Sequence, residues 1–379
     1  MAAIFWISVL LIVYPYVIYP LAVFLLGAAR PRRVRRRAQL PSVTILIPAY
    51  NEVACIGATI RNKLDQGYPS EKLQIIVISD GSDDGTDDVV GRFEEAGVTL
   101  LRRTGREGKA AALNDAVKHA TGDIIIFSDA NTLFGPGALR RIVENFADPE
   151  VGYVTGSLGF ASSDFTVSGA GVDAYMRYED MVRKMETKVG SIIGVNGGVD
   201  AIRRTLYVDI PAHLITDFVL PLSVIAGGHR VVFDAAVTAS EVPNDQVSSE
   251  FRMRVRVALR ALQGLAHMRC LLNPFRYPLT AFCLVSHKVL RYFGFVFMLA
   301  ALISNMALAG TGAFYQALLA FQLLAYGLAL AVLWNGLPRR LRKIGLVPSY
   351  LLLSNAAFAL AVYRFLRGDS MATWRPRAG

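Results

Sequence analysis

The chain is 379 residues long, 53% hydrophobic and formally charged +10, with a mean hydropathy of +0.39. That length holds one sizeable soluble domain and something more, and the hydropathy argues against a wholly soluble protein and for membrane spans. The bases sit beside apolar segments, in RPRRVRRR (30–37) and PRRLRK (338–343). Bases so placed set topology and attract anionic lipid, so the charge implies a membrane and no nucleic acid.

From the N-terminus, IFWISVLLIVYPYVIYPLAVFLLGAA (4–29) carries no charge and is long enough to cross a bilayer. Pro15 and Pro20 are expected to kink it. Its length, with no basic segment before it, speaks against a cleaved signal peptide. The basic block that follows should stay cytoplasmic, which puts the N-terminus outside.

Residues 40–270 read as a globular domain. VTILIPAY (43–50), LQIIVISD (73–80) and GDIIIFSDA (122–130) are apolar runs that end in polar groups, and CIGATIRNKLDQ and GKAAALNDAVKHA between them read as helices. Strands alternating with helices predict an α/β domain with a mostly parallel sheet and right-handed crossovers. YMRYEDMVRKMETKVG (175–190) has helical spacing, with Glu179 and Arg183 placed for a surface i,i+4 ion pair. Asn196, Gly197 and Gly198 predict a tight loop.

Residues 275–368 begin with the amphipathic PLTAFCLVSHKVLRYFG, an interfacial helix bearing His287, Lys288 and Arg291. Apolar runs at about 293–310, 314–334 and 347–363 add about three spans. Four spans put both termini outside, yet the basic tail, 369–379, favours the inside; the side of the C-terminus stays open. Cys55, Cys270 and Cys283 have neither metal spacing nor a pairing pattern, and they read as reduced thiols.

The strand ends of a parallel sheet meet at one edge, where open α/β sheets bind ligands. The sequence gathers Pro48 to Glu52, then Asp80 to Thr86, then Asp129-Ala130-Asn131 there. Carboxylates crowded at one edge repel each other unless a cation sits among them. A hard divalent ion on one or two carboxylates plus phosphate oxygens would fit, while Asp80 and Asp84 could instead hold base and ribose. The competing reading is an Asp-Gly turn that caps the next helix. GREGKA is no Walker A loop, because Arg103 stands where a glycine is needed and Ala110 where a Ser/Thr is needed. No GxGxxG follows the first strand.

IPAYNE, SDGSDDGT, GKAAALN, FSDAN, VNGGVDAIRR and ITDFVLPL, in this order over about 40–265, resemble the inverting glycosyltransferases of family 2. The likeness is to their membrane-embedded branch, which includes cellulose, hyaluronan and poly-N-acetylglucosamine synthases. The resemblance implies a GT-A type fold, a UDP-sugar donor and Mg2+ or Mn2+. It places Pro48, Tyr50 and Glu52 by the uracil and ribose, Asp80 and Asp84 by the nucleoside, and Lys109 near the nucleotide. Asp129 would be the metal-contacting acid of a DxD motif, with Asn131 in its second slot. The general base would be Asp217, the last residue of a TED motif that reads Ile215-Thr216-Asp217 here; the alternative for Asp217 is a helix N-cap. Of the QxxRW motif only Arg256 remains, because Met253 and Val257 replace Gln and Trp.

The resemblance therefore implies a multi-pass enzyme of the cell (inner) membrane with a cytosolic catalytic domain. It would move a sugar to a lipid-linked or glycan acceptor. The missing Trp disfavours long processive synthesis, although a processive exopolysaccharide synthase remains an alternative. About four spans are few for a channel, so that version needs a homo-oligomer or an envelope-assembly partner. A third reading is a catalytically weak nucleotide-sugar-binding module, in keeping with Asn131, Thr216 and the broken QxxRW.

Overall fold

The computed structural model describes residues 1–160, 167–241, 247–334 and 339–369. The basic tail from residue 370 and the start of PRRLRK lie outside them. Strands β1 (Val43–Ala49), β2 (Leu73–Ser79), β3 (Val98–Arg102) and β4 (Ile124–Phe127) run parallel in the order β3-β2-β1-β4. Ile45 lies opposite both Ile75 and Ile126. Such runs are apolar throughout because both faces are covered. Leu46, Ile76, Ile78 and Ile125 enter one core, and Ile45, Ile47, Ile75, Val77 and Ile126 enter the other.

β5 (Thr132–Phe134), β6 (Val151–Phe160), β7 (Asp200–Arg203) and β8 (Arg230–Glu241) complete an eight-stranded sheet, β3-β2-β1-β4-β7-β6-β8-β5. β7 runs antiparallel to both β4 and β6, and β5 antiparallel to β8, so the sheet is mixed beyond its parallel first half. The reversed β7 brings Asp200 opposite Phe127 on one side and Thr155 on the other. That places an acid inside the sheet just below the strand end that leads to Asp129.

Among the described residues, four helices are long and apolar enough to cross a membrane: Ala2–Ala29, Gly294–Thr311, Ala313–Leu333 and Gly345–Leu366. The first does not break at its prolines but widens into a π-helical turn, Tyr14–Ile18. Pro20 has no N–H to offer the preceding turn, and the carbonyls it strands find partners outside the helix. Tyr178 donates its hydroxyl to the Tyr16 carbonyl at 3.1 Å, and Arg291 Nη2 lies 3.4 Å from the Pro15 carbonyl. Tyr19 and Val23 of this helix are fully buried in the same core as Leu46 and Ile125.

The expected surface pair of Glu179 and Arg183 does not form. Both side chains are buried on the helix Val167–Val189, and each takes another partner. Glu179 pairs with Arg291 and, at 3.1 Å, with His287 Nε2. Arg183 pairs with Asp180 at 2.9 Å and donates to the Gly194 carbonyl. His287 Nδ1 also reaches Glu186 at 2.6 Å, and Tyr19 donates its hydroxyl to the same carboxylate at 2.5 Å. His287 and Arg291, expected on a membrane-surface helix, thus turn inward. The spacing was helical as expected, but the partners came from a segment about a hundred residues away.

Candidate active site

The polar strand ends converge as the parallel half of the sheet requires. After β1 the chain turns at Asn51, which holds a left-handed backbone (φ 53). Its amide bonds reciprocally with the next loop: Nδ2 donates to Asp83 Oδ1 at 2.8 Å, and the Asp83 N–H donates to Oδ1 at 3.0 Å. Asp84 accepts from the Val53 N–H at 3.1 Å, the Thr86 N–H at 2.9 Å and the Thr86 hydroxyl at 2.5 Å. Burial works against ionisation here, but these bonds outweigh it and hold the Asp84 carboxyl below its ordinary range. Asp84 therefore ties the turn to Val53 and Thr86, while the next helix, Thr86–Gly91, has Gly85 at its N-cap and no side-chain cap bond.

Asp80 is buried and faces the loop before the Lys109 helix. It accepts from Arg103 Nη1 at 2.8 Å, the Gly108 N–H at 2.8 Å and the Glu107 N–H at 3.2 Å. Arg103, the residue that breaks the Walker A pattern, joins the loop's own N–H groups in holding Asp80 and also pairs with Glu107 at 2.9 Å. Pro48 stands one place before the end of β1. Tyr50 follows the strand, and Arg106 lies over its ring at 3.8 Å. Arg106 Nη2 is buried without a hydrogen-bond partner, so it presents an unspent donor beside an aromatic face. Glu52 donates its N–H to Thr86 Oγ1 at 2.9 Å and accepts from the Cys55 thiol at 3.0 Å. Burial and then Glu52 push that thiol up to about 12, so Cys55 is no nucleophile.

Lys109 opens the helix Lys109–Val117 and joins two expected residues. Its ammonium lies 2.7 Å from Asp129 Oδ1 and 3.5 Å from Asp217 Oδ2. Burial opposes its charge, but Asp129 first and Asp217 next outweigh burial and hold its pKa above the ordinary lysine value. Asp217 lies in the first turn of the helix Thr216–Ala226, whose N-cap is Ile215 and carries no side-chain cap bond. The N-cap reading of Asp217 therefore fails, and its carboxylate faces the site. Gly197 adopts φ +74, and a Cβ there would stand 2.9 Å from Asp217 Oδ2. The expected tight loop thus presses glycine backbone against the carboxylate, where no larger residue fits.

The structure adds residues that the sequence did not single out. Asp200 is fully buried, and burial and then Asp217 push its carboxyl up to about 7. Arg260 is in electrostatic contact with Asp217 and with Arg256. It donates to the Leu214 carbonyl at 2.5 Å and so holds the loop that delivers Asp217. Arg256 lies one turn earlier on the helix Val247–His267. A lone acid in the otherwise apolar VDAI was the one signal for Asp200. Arg260 sits in ALRALQGL and carried none.

Among the described residues no three His, Cys, Asp or Glu side chains are grouped to hold a metal. The donor set nevertheless suits a hard divalent ion, because such ions take one or two protein oxygens and complete their shell with phosphate oxygens and water. Lys109 occupies one oxygen of Asp129, whose side chain stays 36% exposed and within reach from solvent. Asn131, two residues on, is half-buried and offers a neutral oxygen.

Residues 44–206 match Glycosyl transferase family 2. A poly-beta-1,6-N-acetyl-D-glucosamine synthase of Staphylococcus aureus is 26% identical over 226 residues, 58% of this chain and 54% of that protein. A probable glycosyltransferase of Bacillus subtilis is 36% identical over 107 residues, 27% of this chain and 25% of that one. The chain thus spans about half, or less, of the length of these curated relatives. A solved mannosyltransferase of Pyrobaculum calidifontis, in complex with GDP-Man and Mn2+, superimposes with a TM-score of 0.74 over 97% of this chain and 99% of that one, at 23% identity. The fold is therefore of the GT-A type, with helices apolar enough to span a membrane on both sides of the domain.

Proposed function

We propose that this chain, whose residues 44–206 form a glycosyl transferase family 2 domain, is a membrane-bound inverting glycosyltransferase. It takes a sugar from a UDP-sugar and passes it to a lipid-linked or polysaccharide acceptor at the cytosolic face of the cell membrane. The observation that carries this reading is the single ammonium of Lys109 bridging Asp129 and Asp217. It joins an acid at a sheet edge suited to a nucleotide diphosphate with an acid on the opposite, glycine-lined side suited to a hydroxyl.

In the step proposed, an acceptor hydroxyl oxygen attacks the anomeric carbon from the side opposite the diphosphate. The new carbon–oxygen bond forms as the bond to the diphosphate breaks, and the electron pair leaves with the diphosphate. The hydroxyl proton passes to the Asp217 carboxylate, which acts as general base. Attack from the opposite side inverts the anomeric configuration. Lys109, kept cationic by its two acids, lies where negative charge grows on the diphosphate. Asp129 and Asn131 would hold Mg2+ or Mn2+, which when bound supplies further positive charge to the leaving diphosphate. Arg106, with its unspent donor beside Tyr50, is placed to meet the nucleoside.

The test is nucleoside diphosphate release by the detergent-purified protein, across a panel of UDP-sugars and GDP-mannose, with membrane lipid extract and with Mn2+, Mg2+ or chelator. Metal-dependent release from one UDP-sugar supports the reading. Release from GDP-mannose alone would overturn the donor class, and tight nucleotide binding with no release would make the domain a binding module.

A further inference from the structure

The turn that carries Asp129 and Asn131 leads straight into β5, and β5 is a weak element by itself. It has three residues and stands at the edge of the sheet, with β8 as its strand neighbour. An edge strand leaves one row of N–H and C=O groups without a strand partner. Gly135 donates its N–H to the Thr238 carbonyl of β8 at 2.8 Å. Phe134, one place earlier, turns its main-chain groups the other way, toward the helix Ile56–Leu64.

That helix fills the open row with side chains. Asn62 bonds Phe134 as a strand would: Nδ2 donates to the Phe134 carbonyl at 3.0 Å, and the Phe134 N–H donates to Oδ1 at 2.7 Å. Lys63 donates to the Thr132 carbonyl at 2.6 Å and to Asn62 Oδ1 at 3.1 Å, and its nitrogen lies 3.6 Å from the centroid of the Phe134 ring. An ammonium has three donors, and these three contacts spend them. Thr59, on the same helix face as Lys63, donates its hydroxyl to the Ala130 carbonyl at 2.7 Å. Lys63 is 0% exposed. Lysine is hardly ever fully buried unless paired, and here the partners are neutral oxygens and a ring, all belonging to β5 or to the helix itself.

The consequence falls on the turn. The Asp129 carbonyl accepts the Thr132 N–H at 3.2 Å, which closes Asp129 to Thr132 as one turn. Thr59 fixes the carbonyl between Ala130 and Asn131, and because a peptide is planar this also fixes the Asn131 N–H. Lys63 fixes the next carbonyl but one, that of Thr132. From the other side Thr132 donates its hydroxyl to Glu241 Oε1 of β8 at 2.8 Å. Asp129 and Asn131 therefore stand on a backbone gripped between one helix and one strand.

We propose that Lys63, with Thr59 and Asn62 beside it, is a positioning residue for the Asp129–Asn131 turn. It holds the backbone so that both side chains present their oxygens together to a divalent cation and the diphosphate that the cation binds. This rests on the reading of Asp129 and Asn131 as the metal-holding pair. Lys63 itself touches no substrate atom in this arrangement.

The experiment measures UDP affinity of the full chain in detergent over a Mn2+ titration and in chelator, with melting temperature on the same samples. It compares wild type with Lys63→Met, which keeps the stem and removes the donors. The control is Ile142→Val, a cavity variant in the core cluster that holds Ile45 and Ile126. In Lys63→Met the Mn2+ concentration for half-maximal UDP binding should rise about 3–10-fold, because one or two lost hydrogen bonds leave only a fraction of the molecules with the turn in place. Its UDP affinity in chelator should stay at the wild-type value. Ile142→Val should melt lower than wild type and keep the wild-type Mn2+ midpoint.

A Lys63→Met protein with the wild-type Mn2+ midpoint overturns the proposal alone. A rise of the same size in Ile142→Val would trace the effect to general loss of stability and overturn it as well. Wild-type UDP binding that does not respond to Mn2+ overturns the reading of Asp129 and Asn131, and this proposal with it. Should Lys63→Met fail to fold, Thr59→Val removes the bond to the Ala130 carbonyl with little change of shape. Its midpoint should also rise, and an unmoved midpoint counts against the proposal.

Discussion

Asp129 has one oxygen on the Lys109 ammonium at 2.7 Å and a side chain still 36% exposed. Removing it should do two things: free Lys109 from its nearer partner, and take away the carboxylate proposed for the metal. Asp129→Ala is expected to weaken metal-dependent UDP binding roughly 10–100-fold, the range of a charged interaction of about 1.5–3 kcal/mol. The check is nucleotide affinity across a Mn2+ titration, and an affinity that does not change removes Asp129 from the metal site. At this scale the sequence was legible where polarity interrupts an apolar run. Asp80 and Asp129 were named because they end apolar strands, where a turn was the competing reading, and Asp129 and Asp217 took their roles from the family resemblance. Asp200 and Arg260 were not named, since their meaning comes from neighbours far along the chain. Asp200 matters because β7 runs antiparallel beside β4, a pairing no local pattern reveals.

Among the elements, the parallel strands and their crossover helices were readable from period and length. The π turn of the first helix and the inward face of the segment Pro278–Tyr292 were not. Two prolines five residues apart announce a disturbance but do not say which groups will answer the stranded carbonyls; Tyr178 and Arg291 do so. The same segment brings His287 between Glu179 and Glu186. Burial would raise both carboxyls, yet His287 with Arg291 holds Glu179 well below its ordinary value, and His287 with Tyr19 lowers Glu186. Acids with depressed pKa values stabilise the fold above their unfolded values and lose that contribution as pH falls through the folded ones. The chain should therefore be most stable above about pH 4.5 with respect to these two acids. His287→Ala takes one partner from each of two buried carboxylates, leaving Glu179 with Arg291 and Glu186 with Tyr19 and the Ile193 N–H, and is expected to cost up to about 3–5 kcal/mol, read as a lower melting temperature in detergent at pH 7. A melting temperature equal to wild type would show that the seam is not needed for stability.

Taken as a whole, the molecule does not divide cleanly into an anchor and an enzyme. The expected boundaries, 1–29 for the first span and 40–270 for the catalytic domain, follow composition, and composition does shift there. Packing does not follow them. Tyr19 and Val23, on a helix apolar enough to span a membrane, are fully buried in the core of the α/β domain. Glu186 draws two of its partners, Tyr19 and His287, from outside that domain. A fragment of residues 40–270 loses two buried apolar contacts of roughly 1.5–3 kcal/mol each and exposes a carboxylate built to be paired. It should aggregate or melt well below the full chain, as thermal unfolding of both in the same detergent would show. A fragment as stable as the full chain would mean that the helix–domain contact is incidental.

The most direct test of the account is nucleoside diphosphate release by wild type and Asp217→Asn at the same saturating donor, with UDP affinity measured on the same samples. A positioned general base contributes about 10²–10⁴-fold. The account predicts a turnover lower by that factor while UDP binding stays intact. An Asp217→Asn chain that turns over at the wild-type rate would contradict it.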